Sequence, residues 1–180
     1  MKYTYHVKEK DFLNFQLFHL SQAEEFKARL RKQRLSIMLL NIAFGIFFAL
    51  EKKFLITSIF VTIGILWFFL YPNRIKRIYK KRFQNEIQEK YQQHFGVDAA
   101  FEINETTLKT VDKGGFSEKR YDDILKIVHL PEATYIIFKN KQTFILPQDA
   151  TENYDSMKNE LSAKAQQMNI TVQDLPDWKF

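Results

Sequence analysis

Residues 35–72 read LSIMLLNIAFGIFFALEKKFLITSIFVTIGILWFFLYP. Two apolar runs, Leu35–Leu50 and Phe54–Tyr71, are separated only by Glu51, Lys52 and Lys53. As helix the first run, 16 residues, reaches about 24 Å and the second, 18 residues, about 27 Å. Both are short for a hydrocarbon core of about 30 Å, so upright helices with Lys52 and Lys53 snorkelling are expected. Neither run has a polar face, and a chain of 180 residues has too little material to cover two such helices all round in a soluble core. The reading is a transmembrane helical hairpin over 35–72, with Trp67 and Tyr71 near one boundary.

Working outward, basic residues collar both runs. Arg29, Arg31, Lys32 and Arg34 precede the first, and Arg74, Lys76, Arg77, Lys80, Lys81 and Arg82 follow the second. Residues 97–180 are acidic, with 10 Lys/Arg against 14 Asp/Glu. A net charge of +6 and a pI near 9.3 would suit nucleic acid. Its clustering beside the apolar runs assigns it to lipid headgroups instead, so the bilayer and not nucleic acid is the expected partner. Positive-inside logic places both termini in the cytoplasm and the Glu51–Lys53 turn outside. The first apolar run starts at residue 35, behind a charged segment, which is not the layout of a secretory leader.

The short turn forces antiparallel packing, in which positions whose numbers sum to about 105 face each other. Asn41 then lies at nearly the depth of Thr62, where an interhelical hydrogen bond would act as packing glue. The same register sets Leu30 against Ile75, Phe26 against Tyr79 and Phe18 against Ile87. The segments 1–34 and 73–96 should therefore extend the hairpin as a helical stalk. Residues 2–8 alternate as a strand (Tyr3, Tyr5, Val7), and Asp11 is the expected N-cap of a helix that runs without a break into the first span. Pro72 can end or kink the second span. Beyond it, Ile75, Tyr79, Phe83, Ile87, Tyr91 and Phe95 predict a basic amphipathic helix over 73–96, stopped by Gly96.

From Asp98 the pattern turns to β. Strands are predicted at 99–104, 107–111, 116–121, 124–130, 134–140 and 142–147, with turns at Asp112–Gly115, Pro131–Ala133 and Asn140–Lys141. A helix follows over 151–168, capped by Thr151 or Asn153, with Tyr154, Met157, Leu161 and Ala165 as its inner stripe. The tail, 173–180, has no period. The expected architecture is an α+β membrane protein: the hairpin and its stalk, plus a small PH-like antiparallel β-barrel or sheet over 97–172 closed by the C-terminal helix. Residues 2–8 are available to it as a seventh strand.

Within residues 97–150, the stretches FEINETTLKT, YDDILKIVHL and TFILPQDA resemble the YcxB-like family of bacterial membrane proteins. The motif elements are Tyr121-Asp122-Asp123-Ile124 and Ile145-Leu146-Pro147. Tyr121 stands where Trp is common, and Gln148 where a Lys or Arg often follows the Pro. The resemblance implies two spans in a bacterial cytoplasmic membrane and a PH-like soluble domain, and it carries no activity with it.

Chemistry is sparse. The chain has no cysteine, which excludes disulfides and thiolate chemistry. His6, His19, His94 and His129 are scattered without ligand spacing, so no metal is expected. Asp122 and Asp123, read as strand neighbours, point to opposite faces and share no substrate. Asp123 is read instead as a turn or strand-start residue that bonds backbone between two hairpin strands. Ser36, Ser58, Ser117, Ser156 and Ser162 show no nucleophile motif. Gly114–Gly115 is turn chemistry, not a phosphate cradle. No catalytic residue, cofactor or metal site is assigned. The function expected is a non-enzymatic scaffold or regulatory module that binds a protein partner or a second copy. Two alternatives are an oligomeric channel or transporter subunit built on Asn41, Thr62, Gly45 and Gly64, and a module that reads anionic lipid.

Overall fold

The computed structural model describes residues 2–91, 95–112 and 115–180. The expected tip of the Asp112–Gly115 turn, including Gly114, lies outside the described residues, as does His94, and the helix expected over 73–96 ends at Lys90, short of the expected stop at Gly96. Among the described residues the chain is α+β, with four α-helices and two four-stranded sheets. It divides into two compact units. One comprises the residues up to Phe15 together with Glu86–Lys179; the other comprises Gln16–Asn85 and Phe180.

In the first unit, β1 (Lys2–His6) pairs antiparallel with β2 (Asp98–Ile103), placing Tyr3 opposite Phe101 and Tyr5 opposite Ala99. The strand before the apolar runs thus completes the sheet after them. Strands β3 (Thr107–Asp112) and β4 (Gly115–Arg120) continue the sheet in the order β1-β2-β3-β4. The second sheet is β7-β6-β5-β8, built from β5 (Ile124–His129), β6 (Ala133–Phe138), β7 (Thr143–Pro147) and β8 (Val172–Asp174). Among the described residues no closed barrel forms: two sheets share one core, and Tyr5 of β1 bridges to Thr151 while Glu152 N–H donates to Thr4 O at 3.0 Å. Strand β8 straddles the expected boundary between the β-domain and the patternless tail at 172/173 and runs parallel to β5, with Val172 beside Ile127. Three residues are too few to carry a period.

The core takes residues from both sheets and from α4 (Tyr154–Gln167): Tyr3, Phe101, Leu108, Ile127, Ile136 and Leu146 pack with Met157, Leu161 and Ala165. Alternation along β1 buries Tyr3 and Tyr5 while Lys2 and Thr4 face out. The inner stripe of α4 is the expected one, and of the two expected caps Asn153 holds the position without capping through its side chain. Asn153 is left-handed there, φ 50°, and the Thr151 hydroxyl donates to the Pro147 carbonyl at 2.6 Å.

Asp11 lies inside α1 (Glu9–Gln22), not at its cap. Its Oδ2 accepts the Lys8 backbone N–H at 2.9 Å, the reach-back half of a capping box. The helix does not run unbroken into the first apolar run. Ala23 is extended, ψ 115°, and separates α1 from α2 (Glu24–Leu50). The Ser21 hydroxyl donates to the Phe18 carbonyl at 2.7 Å, competing with the helix ladder. Glu24 and Glu25 then open α2, where carboxylates suit the helix dipole.

The second unit is dominated by α2 and the greater part of α3 (Phe54–Lys90). Pro72 neither ends nor divides α3, which runs 37 residues through it. The connection Glu51–Lys53 is a Schellman closure: Lys53 N–H donates to Phe48 O at 2.9 Å and Lys52 N–H to Ala49 O at 3.0 Å, with Lys52 at φ 58°. Both helices are long and apolar enough to cross a membrane. Only 6% of the most apolar stretch of α2 and 11% of that of α3 are buried, so neither is packed like the internal helix of a soluble core.

The antiparallel register holds along the pair. Phe26 meets Tyr79 edge-to-face with ring centroids 5.1 Å apart, and Phe44 lies 5.4 Å from Phe60. A Cβ placed on Gly64 would come within 3.1 Å of the Asn41 Cβ, and one on Gly45 within 3.2 Å of Val61 Cγ2.

Candidate functional site

Where the basic collar meets the apolar runs, α2 and α3 enclose a cleft of about 350 Å³. Leu30, Leu35, Phe68 and Pro72 form its apolar wall, and Lys27, Arg31 and Arg34 supply three cations with no carboxylate among the lining residues. Helical spacing explains the convergence: Lys27, Arg31 and Arg34 stand four and three residues apart on α2, and Phe68 and Pro72 four apart on α3.

The Arg34 guanidinium carbon lies 3.5 Å from the centre of the Phe68 ring, a cation–π contact worth about 0.5–2 kcal/mol. Its Nε is buried without a hydrogen-bond partner. Leaving such a donor unpaired costs about 1–3 kcal/mol, more for a charged group. Pro72 has no N–H for the carbonyl four residues earlier, that of Phe68. Beside the cleft, Tyr71 donates to Gln33 Oε1 across the helix pair and stacks on Trp67 at 5.2 Å, and Trp67 Nε1 is also buried and unpartnered.

The other residues singled out from the sequence do not converge here. Arg29, Lys32, Arg74, Lys76, Arg77, Lys80, Lys81 and Arg82 lie along the two helices outside the cleft lining. Asn41 does not bond Thr62. Its Nδ2 donates to Ile37 O at 2.8 Å within its own helix, while its Cβ faces Gly64.

A second polar cluster, which the sequence reading missed, lies in the β-containing unit. His129 is only 3% exposed. Its Nδ1 is 2.8 Å from the Thr134 hydroxyl and its Nε2 3.2 Å from the Ser162 hydroxyl. The Ser162 proton goes to Lys158 O at 2.7 Å, and Thr134 Oγ1 lies 2.8 Å from the Tyr154 hydroxyl. One assignment satisfies every atom: Tyr154 donates to Thr134, Thr134 to His129 Nδ1, and His129 Nε2–H to Ser162. The imidazole is then neutral and gives its proton toward Ser162, the reverse of a base activating a nucleophile.

Burial, then Lys158, hold the His129 pKa down, and Asp174 opposes them. The cluster borders a polar cleft of about 430 Å³ that also includes Gln148, Asp155 and Pro176. The signal that could have exposed it is the alternation His129–Leu130 against Ala133–Thr134, which sets a His and a Thr opposite each other across a hairpin.

Tyr121–Asp123 forms a 3-10 turn, not a strand start. Tyr121 is buried and donates to Asn104 O at 2.9 Å, and burial raises its pKa to about 12. Asp122 and Asp123 are exposed. Asp123 takes part through its backbone carbonyl, which accepts Lys139 N–H at 2.9 Å. Leu146 is fully buried and Pro147 caps the strand. Among the described residues, no group of three or more His, Asp or Glu side chains is placed to hold a metal ion.

No family model, curated protein or solved structure matches this chain. Function is therefore argued from these residues.

Proposed function

We propose that the chain is a two-span protein of a bacterial cytoplasmic membrane, YcxB-like in organisation. The helical hairpin anchors it, and its PH-like β-containing unit acts on the cytoplasmic side as a non-enzymatic module binding a protein partner or a second copy. The observation that carries the reading is the near-complete exposure of the apolar faces of α2 and α3, joined by a three-residue closure and collared by cations at the opposite end. Leu50, Phe54 and Leu55 are 78%, 70% and 74% exposed beside that closure, and water is an unfavourable environment for such a surface.

The pairing of β1 with β2 supports an even number of crossings, because both ends of the hairpin return to one sheet. The direction of the His129 relay supports a structural role for the only buried histidine cluster among the described residues. Asn41, hydrogen-bonded within its helix and packed on Gly64, favours helix packing over a pore.

The absence of cysteine makes a direct test available. Glu51→Cys should react with a membrane-impermeant maleimide in intact cells, and Ser156→Cys only after lysis. Release of the chain by alkaline carbonate, or the opposite labelling pattern, would remove the membrane reading. Crosslinking in native membranes followed by partner identification tests the binding role. Turnover of a substrate by the chain, lost in a double variant at Asp122 and Asp123, would contradict the non-enzymatic assignment.

A further inference from the structure

We infer that the cleft between α2 and α3 holds the phosphate of one anionic phospholipid, with the glycerol and first methylenes against Phe68, Leu35 and Pro72. The inference rests on the membrane reading above and adds a specific occupant to it.

Three features of the cleft select this ligand. First, Lys27, Arg31 and Arg34 converge on the cleft with a single carboxylate beside them, the exposed Glu24 bridged to Lys27 at 2.9 Å, which leaves a net positive concavity complementary to one or two negative charges. Second, the Arg34 guanidinium carbon sits 3.5 Å from the Phe68 ring centre while its Nε has no acceptor. The donor fork of a guanidinium matches the geometry of a phosphate, which would supply that acceptor. Third, the remaining wall is apolar.

Inorganic phosphate would satisfy the cations and leave that wall in water. A phospholipid covers both parts. The cleft also stands at the step from Arg34 to Leu35, where the charged segment gives way to the apolar run, the level of the headgroups in a spanning hairpin. A zwitterionic choline lipid brings a fourth cation next to three, so anionic headgroups are preferred. The rest of the collar attracts the anionic surface in general; the cleft is distinguished by its orphaned, ring-stacked arginine.

The test uses the full chain in nanodiscs containing phosphatidylcholine and phosphatidylglycerol, with retained lipid counted by native mass spectrometry after transfer to detergent. Wild type should retain one phosphatidylglycerol in preference to phosphatidylcholine. Arg34→Gln should lower that retention about tenfold, and Arg34→Lys, which keeps the charge and loses the fork, should also lower it. Lys80→Gln with Lys81→Gln, which removes two collar charges outside the cleft, should change it less than about twofold.

Equal losses in the Arg34 and Lys80/Lys81 variants would overturn the site in favour of diffuse attraction. Equal retention of both lipids in wild type would also overturn it, as would displacement of the lipid by millimolar inorganic phosphate. Melting of each variant by circular dichroism separates misfolding from lost binding, and Arg34→Lys supplies the decisive comparison if Arg34→Gln does not fold. A chain that leaves the membrane in carbonate fails the membrane reading and takes this inference with it. One that stays while binding both lipids alike fails this inference alone.

Discussion

His129 is a residue whose role depends on its surroundings and not on any motif. It is buried between β5, β6 and α4, with Lys158 and Asp174 as the charged groups near it and Thr134, Ser162 and Tyr154 completing its hydrogen bonds. Burial first, and Lys158 second, lower its pKa in the folded chain. The neutral form is therefore the one folding prefers. The stabilisation is fully present above the unfolded pKa of about 6.5 and is lost as pH falls toward the lower folded value. The melting temperature of the β-containing unit should drop between about pH 7 and pH 5, and His129→Gln should flatten that slope while lowering stability throughout. An unchanged slope in the variant would place the pH dependence elsewhere. Asp11 works in the opposite sense: burial raises its pKa despite the Lys8 N–H it accepts, so its contribution favours the acidic side. Neither environment could be read from the chain, because each is built by residues from distant segments.

At the scale of elements, the hairpin was legible in the sequence and its details were not. Apolar length, a charged three-residue turn and matched aromatic stripes sufficed to predict two antiparallel helices and the register that sets Phe26 against Tyr79. The break at Ala23 and the continuity through Pro72 were missed. A local competition at Ser21 decides the first, and a proline within a long helix flanked by packed neighbours need not end it. The partner of Asn41 was misassigned for a related reason. Depth along a helix follows from numbering, but the choice between a facing hydroxyl and the carbonyl one turn back depends on side-chain direction. Asn41 packs on Gly64 instead, so the glycine is a point of close approach. Gly64→Leu should destabilise the helix pair by about 1–3 kcal/mol through overpacking. Adding Asn41→Ala should recover part of that loss. Thermal melts of the three proteins in detergent check this, and a Gly64→Leu chain as stable as wild type would show that the contact tolerates a side chain.

On the scale of the whole molecule, the β-containing unit is discontinuous in sequence, drawing β1 and the start of α1 from before the hairpin and the rest from after it. That dependence was foreseeable from the alternation of residues 2–8 and from the expectation that both termini share one side. The split into two sheets and the parallel strand β8 were not, because strand order and closure depend on long-range pairing that period alone does not encode. β1 contributes more than hydrogen bonds. Tyr3 is 5% exposed in the shared core, and its hydroxyl donates to Glu160 Oε2 of α4 at 2.7 Å, while Tyr5 sits at the bridge to Thr151. Truncating a buried aromatic of this size costs about 3–5 kcal/mol, and typical whole-domain stability is about 5–15 kcal/mol. Tyr3→Ala combined with Tyr5→Ala should therefore bring the β-containing unit close to unfolding in the full chain. Limited proteolysis should then cut between residues 97 and 180 while, on the proposed membrane reading, segment 35–72 stays protected. Deleting residues 2–8 should reproduce the effect. Protease resistance equal to wild type in both variants would show that the sheet is complete without its first strand, and that the hairpin joins two parts that fold independently.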